Sequence, residues 1–389
     1  MKVAVVGASG FVGSAVAEAL WFDDPASVIP LIHSSGNAWQ LARHGMPLTS
    51  VDVLSKARLA DALAGCSHVV NCFRAGGDRM TKGLSNLLEA ARSSGVRHFI
   101  HLSSVAVYGA RFDGQTIDEQ CPTRAEAQSY GSMKGDCDRL VNRAARRGLR
   151  TTLLCPPNIS GANSPFLLNI IAQLRLQKVA LVEDGALPCE LIDVQNLVHA
   201  IRLALVSDGS DGSRFFVTDQ QPQLTWRMVL EDLARIARVG SPLHTVSSHA
   251  AEAAVRANRK PDRSVTKAFK RPFSADVIKA LRQDPIWDST MSSAVRLAKR
   301  LPTGLQRWIK SNGAQPAPKP ASSAPSYAVT ILDQQLRNVR YSNNRATQAF
   351  GYQPLVTYEE SMRSFSDWAD RQFGWASPMG DLFLAAAQI

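Results

Sequence analysis

The sequence predicts an α/β protein, a doubly wound parallel sheet that carries a smaller C-terminal lobe. Three observations lead there. Val3-Ala4-Val5-Val6 is a short apolar run that passes through a glycine turn straight into a helix-forming stretch. Apolar strand-like runs then alternate with helical spacing through the first hundred residues. The chain has 389 residues, 45% of them hydrophobic, enough to bury a large core and form one body with two lobes.

The N-terminal turn is Gly7-Ala8-Ser9-Gly10-Phe11-Val12-Gly13, and Ser14 to Leu20 continue as a helix. Strand, tight glycine turn and helix, in that order, form a cradle for a dinucleotide pyrophosphate. Gly7 permits the turn, Gly10 lets backbone N–H groups approach the phosphates, and Gly13 lets the helix pack on the strand. An anion would then rest on the positive end of the helix. Gly7, Ser9, Gly10, Phe11, Val12 and Gly13 are therefore candidate cofactor contacts.

Ser27 to Ile32 reads as the second strand, and the residues at its end distinguish the two nicotinamide cofactors. An acidic residue there would bond the ribose diol of NAD. The chain instead has His33, Ser34 and Ser35, with Arg43 further on, which tilts the expectation toward NADP. Next come Val51-Asp52-Val53, a helical segment Leu59 to Leu63, and a buried strand His68 to Cys72. Gly83 to Ala91 places Leu84, Leu87, Leu88 and Ala91 at helical spacing, and Phe99 to Leu102 is a strand ending in Ser103-Ser104. Ligands bind such sheets at the carboxyl ends of the strands, where Ser104 would lie.

Tyr130-Gly131-Ser132-Met133-Lys134 follows. Residues four apart share a helix face, so Tyr130 and Lys134 can address one ligand. A free phenol has a pKa of about 10, too high for acid–base work near neutrality, and an adjacent ammonium lowers it.

These pieces together resemble the extended short-chain dehydrogenase/reductases, the superfamily of nucleotide-sugar epimerases, sugar-nucleotide dehydratases and hydroxysteroid dehydrogenases. The resemblance covers residues 1 to about 235 and resumes near 327 to 370. Ser103-Ser104-Val105-Ala106-Val107-Tyr108-Gly109 is similar to the family's S-S-x-x-V-Y-G block, and Asp118-Glu119 and Pro122 match positions before the tyrosine. The resemblance implies a Rossmann-type fold with a substrate-binding C-terminal lobe. It implies that Ser104 polarises the substrate oxygen, Tyr130 exchanges the proton, and Lys134 binds the nicotinamide ribose and tunes Tyr130. Asp52 and Val53 match the pair at the adenine, Pro157 a cofactor contact, and Val105 and Asn158 substrate contacts.

The substrate half departs from the family. Cys155 and Cys189 stand where family members carry arginines, the second of which grips a nucleotide diphosphate. Met80 replaces a common asparagine, and Arg74 follows the fourth strand where small residues are usual. Dehydratases carry an Asp-Glu pair after the hydroxyl residue, because removing water across two carbons needs an extra acid and base. The equivalent positions are Val105 and Ala106, so oxidation, reduction or epimerisation at one carbon is expected instead.

Charge is concentrated elsewhere. Residues 241–320 hold fifteen Lys and Arg against five Asp and Glu, +10 of the chain's +11. Trp287, Met291, Val295, Ala298, Leu301, Leu305 and Trp308 recur there at helical spacing, with Arg296, Lys299, Arg300, Arg307 and Lys310 on other faces. Such a segment reads as a cationic face over a packed lobe, or as a contact with a membrane surface or lipid-linked substrate. No element for reading nucleic-acid bases is present. Ser311 to Ser326, rich in Pro, Ala and Ser, reads as a linker. Asn343 to Pro354 is similar to the family's K-A-x-x-x-L-G-x-x-P block, followed by a helix ending near Trp368.

The expected organisation is a cofactor-binding core over 1–240, a basic insertion and linker over 241–326, and the rest of the substrate lobe over 327–389. Six cysteines without metal-ligand spacing read as free thiols and predict no metal site. The N-terminus enters a strand directly and no run of eighteen apolar residues exists, so a cytoplasmic protein, peripheral to membranes at most, is expected. The functional expectation is an NAD(P)-dependent reductase or epimerase, a homodimer by resemblance, acting on a nucleotide- or lipid-linked sugar. The alternatives are a reductase of an apolar ketone and a cofactor-sensing protein without turnover.

Overall fold

The computed structural model describes residues 1–35, 38–127, 129–208, 212–240, 243–259 and 327–373. The tryptophan-bearing basic helices and the Pro/Ala/Ser linker expected between 260 and 326 lie outside the described residues.

The strands are β1 (Val3–Val6), β2 (Val28–Ile32), β3 (Thr49–Ser50), β4 (His68–Asn71), β5 (His98–Leu102), β6 (Thr116–Ile117), β7 (Arg150–Cys155), β8 (Asn158–Ser160), β9 (Ala180–Val182), β10 (Leu191–Asp193), β11 (Arg214–Phe216), β12 (His244–Val246) and β13 (Arg340–Tyr341). The helices are α1 (Phe11–Asp23), α2 (Trp39–Ala42), α3 (Lys56–Ala62), α4 (Asp78–Ser93), α5 (Tyr130–Ala145), α6 (Pro165–Arg175), α7 (Val194–Val206), α8 (Trp226–Ile236), α9 (Ser248–Arg259), α10 (Val329–Gln335), α11 (Asn344–Phe350) and α12 (Tyr358–Phe373).

Seven parallel strands form the central sheet in the order β11-β7-β5-β4-β1-β2-β3. Because successive side chains of a strand point to opposite faces, each strand supplies two cores. Val3, Val5, Val70, Ile100 and Leu154 pack under α1 and α7, against Val16, Leu20, Leu197 and Ile201. Ala4, Val6, Val69, Phe99 and Leu153 pack under α3, α4 and α5, against Leu59, Leu84, Leu87, Leu88 and Val141. The helical spacing of Leu84, Leu87, Leu88 and Ala91 is thus the buried face of α4. The order reverses between β1 and β4, which opens a crevice at their carboxyl ends.

The smaller lobe is assembled from separated stretches. Ile170 and Leu174 of α6, Trp226 and Leu230 of α8, Ile331 of α10 and Phe365 of α12 share one apolar cluster. Within the 241–326 stretch, β12 pairs with β9, and Ala251 and Val255 of α9 pack with Leu332 and Leu336. The last helix runs beyond Trp368 to Phe373. Two short parallel ribbons, β8 with β10 and β6 with β13, tie core to lobe.

The outer edge of β11 meets side chains rather than another strand. Phe216 N donates to Glu119 Oε1 (2.7 Å) and Thr218 N to Asn343 Oδ1 (2.9 Å), while Asn343 Nδ2 donates to the Thr218 carbonyl (2.8 Å).

Candidate active site

The glycine loop joins β1 to α1 at the crevice. Gly7 has φ +77°, and a Cβ on it would lie 3.0 Å from the Phe73 backbone after β4. A Cβ on Gly13 would lie 2.1 Å from the Gly7 carbonyl oxygen, so only glycine lets α1 approach its strand this closely. Gly10 caps α1 without a side-chain bond, and no acidic residue stands in the first turn. The positive end of α1, at Phe11 and Val12 beside Ser9, is open to an anion, so these residues fit a dinucleotide pyrophosphate.

At the end of β2, His33 is exposed and Ser34 half-buried. Arg43 is committed elsewhere, with Nη2 2.9 Å from Glu18 Oε1 and its guanidinium over the Trp39 ring. Asp52 Oδ1 accepts the Leu54 N–H at 3.0 Å, and its other oxygen lies 3.5 Å from Arg79. The bond from Leu54 is the larger cause holding this carboxyl below its usual range. Val53 is buried under α4, where a Cβ on Gly83 would come within 2.7 Å of its methyl.

Ser104 stands two residues past β5 and caps the 3-10 turn Val105–Tyr108, its Oγ accepting the Ala106 N–H at 3.2 Å. That bond occupies a lone pair and leaves the hydroxyl proton to donate. Tyr130 is the first residue of α5, capped by Ser129, whose Oγ accepts the Ser132 N–H at 3.1 Å. A Cβ on Gly131 would fall 2.1 Å from the Ala106 carbonyl oxygen. The absence of that carbon seats the start of α5 directly on the turn that follows Ser104. Lys134, one helical turn on, is 4% exposed, and its Nζ donates to the Leu102 carbonyl at 2.8 Å. The sequence thus brings Ser104, Tyr130 and Lys134 to the carboxyl end of β5. Tyr130 itself is 42% exposed and open to a ligand.

Beneath Lys134 lie two groups that stay uncharged. His101 is fully buried, its Nδ1 3.0 Å from Asn71 Nδ2, and burial together with Lys134 holds it neutral. Burial pushes the Cys72 thiol up to about 12. On the next turn of α5, buried Asp138 accepts bonds from Ser103 Oγ (2.9 Å) and Arg214 Nε (3.0 Å) and locks α5 to β5 and β11.

A small cleft of about 20 Å³, room for roughly one water, opens beside Val105 toward the lobe. Val105, Pro157 and Asn158 line its core side, and Glu190, Trp226, Arg337 and Tyr341 its lobe side. Trp226 Nε1, Arg337 Nε and the Tyr341 hydroxyl are buried without a protein partner. Glu190 pairs with Arg340 at 3.0 Å, yet burial outweighs the pair and raises its pKa to about 7. Sequence reasoning missed these lobe residues, which come from three distant stretches. The one available signal was Glu190, next to the cysteine that replaced an arginine. Cys155 and Cys189 are both buried, with their thiols pushed up by burial, and present nothing to a ligand. Among the described residues no cluster could hold a metal ion, and no helix is long and apolar enough to cross a membrane.

The sequence matches the profile of the NAD-dependent epimerase/dehydratase family over residues 3–217. No curated protein matches the chain. Among solved structures, UDP-glucose 4-epimerase of Thermotoga maritima with UDP-glucose is 17% identical, with a TM-score of 0.63 covering 95% of this chain and 99% of that one. The dTDP-glucose 4,6-dehydratase DesIV of Streptomyces venezuelae, a double mutant with NAD, is 19% identical, with a TM-score of 0.62 covering 97% and 100%. RMD of Pseudomonas aeruginosa, complexed with NADPH, is 18% identical, with a TM-score of 0.58 covering 97% and 100%. At these identities the likeness is one of fold.

Proposed function

Since the chain belongs to the NAD-dependent epimerase/dehydratase family, we propose that it is an NAD(P)-dependent oxidoreductase that reduces or epimerises one secondary alcohol or ketone centre of a sugar. The observation that carries this reading is the seating of Gly131 on the Ala106 carbonyl, which sets the Tyr130–Lys134 face against the turn capped by Ser104. When bound, the nicotinamide cofactor supplies the hydride acceptor or donor. Gly7, Gly10 and Gly13 hold its pyrophosphate on α1. Ser104 donates its free proton to the substrate oxygen, and Tyr130 exchanges a proton at that same oxygen. Lys134, fixed on the Leu102 carbonyl, stands one helical turn from Tyr130 on the same face of α5, where it would meet the nicotinamide ribose.

A sugar suits the polar mouth of the neighbouring cleft, which has room for a hydroxyl group and not for a whole ring. Asn158, Glu190 and Arg337 line it with donors and acceptors suited to hydroxyls. An apolar ketone would leave that polar lining unpaired. Val105 and Ala106 are buried apolar residues in the turn after Ser104, which argues against elimination of water. The absence of a carboxylate at His33 and Ser34 favours NADP, to which Arg43 adds nothing because it is bound to Glu18.

The test is Tyr130→Phe. Bound cofactor is first identified after gentle purification and denaturation, and its redox change is then followed against a panel of nucleotide sugars and ketosugars. Tyr130→Phe abolishes turnover with cofactor affinity nearly unchanged; turnover at the wild-type rate refutes the mechanism.

A further inference from the structure

Arg74 is a departure from the family pattern that the reading above leaves unused. It stands three residues past β4, on a segment held firmly at both sides of the crevice. Cys72 N donates to the Val6 carbonyl (3.0 Å) and Phe73 N to Asn71 Oδ1 (3.1 Å). Phe73 backbone atoms form the wall that a Cβ on Gly7 would strike at 3.0 Å. The next residue therefore projects from beside the glycine loop, and its guanidinium carbon lies 5.4 Å from the centroid of the Tyr130 ring. On α4 and its neighbour, Arg79 faces Asp52 and Lys82 faces Asp78, each at 3.5 Å. Arg74 has no carboxylate partner among the described residues. An exposed cation stacked on a ring is oriented without being discharged, and its planar fork stays available for a bidentate acceptor.

We propose that Arg74 is an oxyanion-binding residue of this site, receiving phosphate or carboxylate oxygens that lie between the glycine loop and Tyr130. The inference rests on the site assignment above. Two sources share that chemistry: the pyrophosphate of the cofactor and an anionic substituent of the substrate. Stacking on Tyr130 places the fork where either would pass, and Arg74 thereby couples anion binding to the position of the phenol.

Titrations of NADH, NADPH and ADP-ribose by fluorescence and competition, into wild type, Arg74→Met and Arg74→Lys, separate the sources. Thermal shifts with inorganic phosphate are measured alongside, with and without NADH. A loss of about tenfold in dinucleotide and ADP-ribose affinity in Arg74→Met, partly restored in Arg74→Lys, identifies the cofactor's oxyanion. Unchanged dinucleotide affinity with loss of the phosphate-induced shift identifies the substrate's. Wild-type behaviour of Arg74→Met in both assays, or a lowered melting temperature with ligand affinities intact, overturns the proposal. Failure of wild type to bind any dinucleotide would instead sink the proposed function, and the phosphate shift of the cofactor-free protein would still decide the role of Arg74.

Discussion

Gly13→Ala sets two effects of known sign against each other. Alanine in a helix is favoured over glycine by about 1 kcal/mol, so propensity alone predicts a more stable α1. The added Cβ, however, would lie 2.1 Å from the Gly7 carbonyl oxygen, 2.8 Å from its carbon and 3.0 Å from Ala8 Cα. Carbon and carbonyl oxygen approach no closer than about 3.3 Å even in favourable contacts, so the helix must retreat by roughly 1 Å. All three obstacles are backbone, and no rotamer change relieves them. Overpacking of this kind costs about 1–3 kcal/mol, which cancels or exceeds the propensity gain. The larger loss falls on the ligand, because the retreat moves the N–H groups of the loop away from the pyrophosphate. Each charge-assisted hydrogen bond lost there is worth about 1.5–3 kcal/mol, so NADH affinity should fall at least tenfold. Fluorescence titration reads the affinity, and urea denaturation followed by circular dichroism reads the stability. Gly240→Ala is the control, since nothing lies within 4 Å of its added carbon. A Gly13→Ala protein that binds NADH as wild type does and melts no earlier would refute the reasoning.

Three further outcomes follow from the same geometry. Gly131→Ala drives a Cβ to 2.1 Å from the Ala106 oxygen, shifts Tyr130 by about 1 Å, and should cut turnover by about a hundredfold; turnover at the wild-type level would show that this contact does not position the phenol. Burial raises both Asp219 and Glu190 to about 7, so the folded protein holds protons that the unfolded chain releases near pH 4. Their stabilisation is complete below the unfolded pKa and is lost as pH rises through the folded one; because buried His68, His98 and His101, with lowered pKa values, act with the opposite sign, the effect is read as the difference between wild type and Glu190→Gln, and wild type should lose stability relative to that variant from pH 5 to pH 8, a relative gain contradicting it. Tyr341→Phe removes a buried hydroxyl without a partner, so the melting temperature of the ligand-free protein should hold or rise; a drop in melting temperature would mean the hydroxyl has a structural partner.

How much could be read from the sequence depended on how local each feature is. The glycine cradle and the Tyr130–Lys134 face lie within seven and five consecutive residues, so their geometry follows from turn and helix periodicity alone. The alternation of strands and helices gave the parallel sheet for the same reason, and the β1–β4 reversal then located the crevice. The cavity was not legible, because Asn158, Glu190, Trp226 and Arg337 converge only after the lobe folds from separated stretches. Trp226 at the start of α8 reads as an ordinary core aromatic, and its indole N–H acquires meaning only beside Tyr341. Arg74 stood out as an unusual residue, but its stacking partner sits on a different element. The third strand, Thr49–Ser50, was not singled out, since a two-residue edge strand leaves almost no periodic signal.

The side chains that meet the outer edge of β11 bear on assembly. A terminal strand ordinarily exposes a ladder of donors and acceptors that can recruit another chain. Glu119 and Asn343 bind the outward N–H of Phe216 and the N–H and carbonyl of Thr218, as a neighbouring strand would. A strand from a second molecule could pair at this border only by displacing those side chains. The edge is thus guarded by residues of its own chain, drawn from before α5 and from the start of α11.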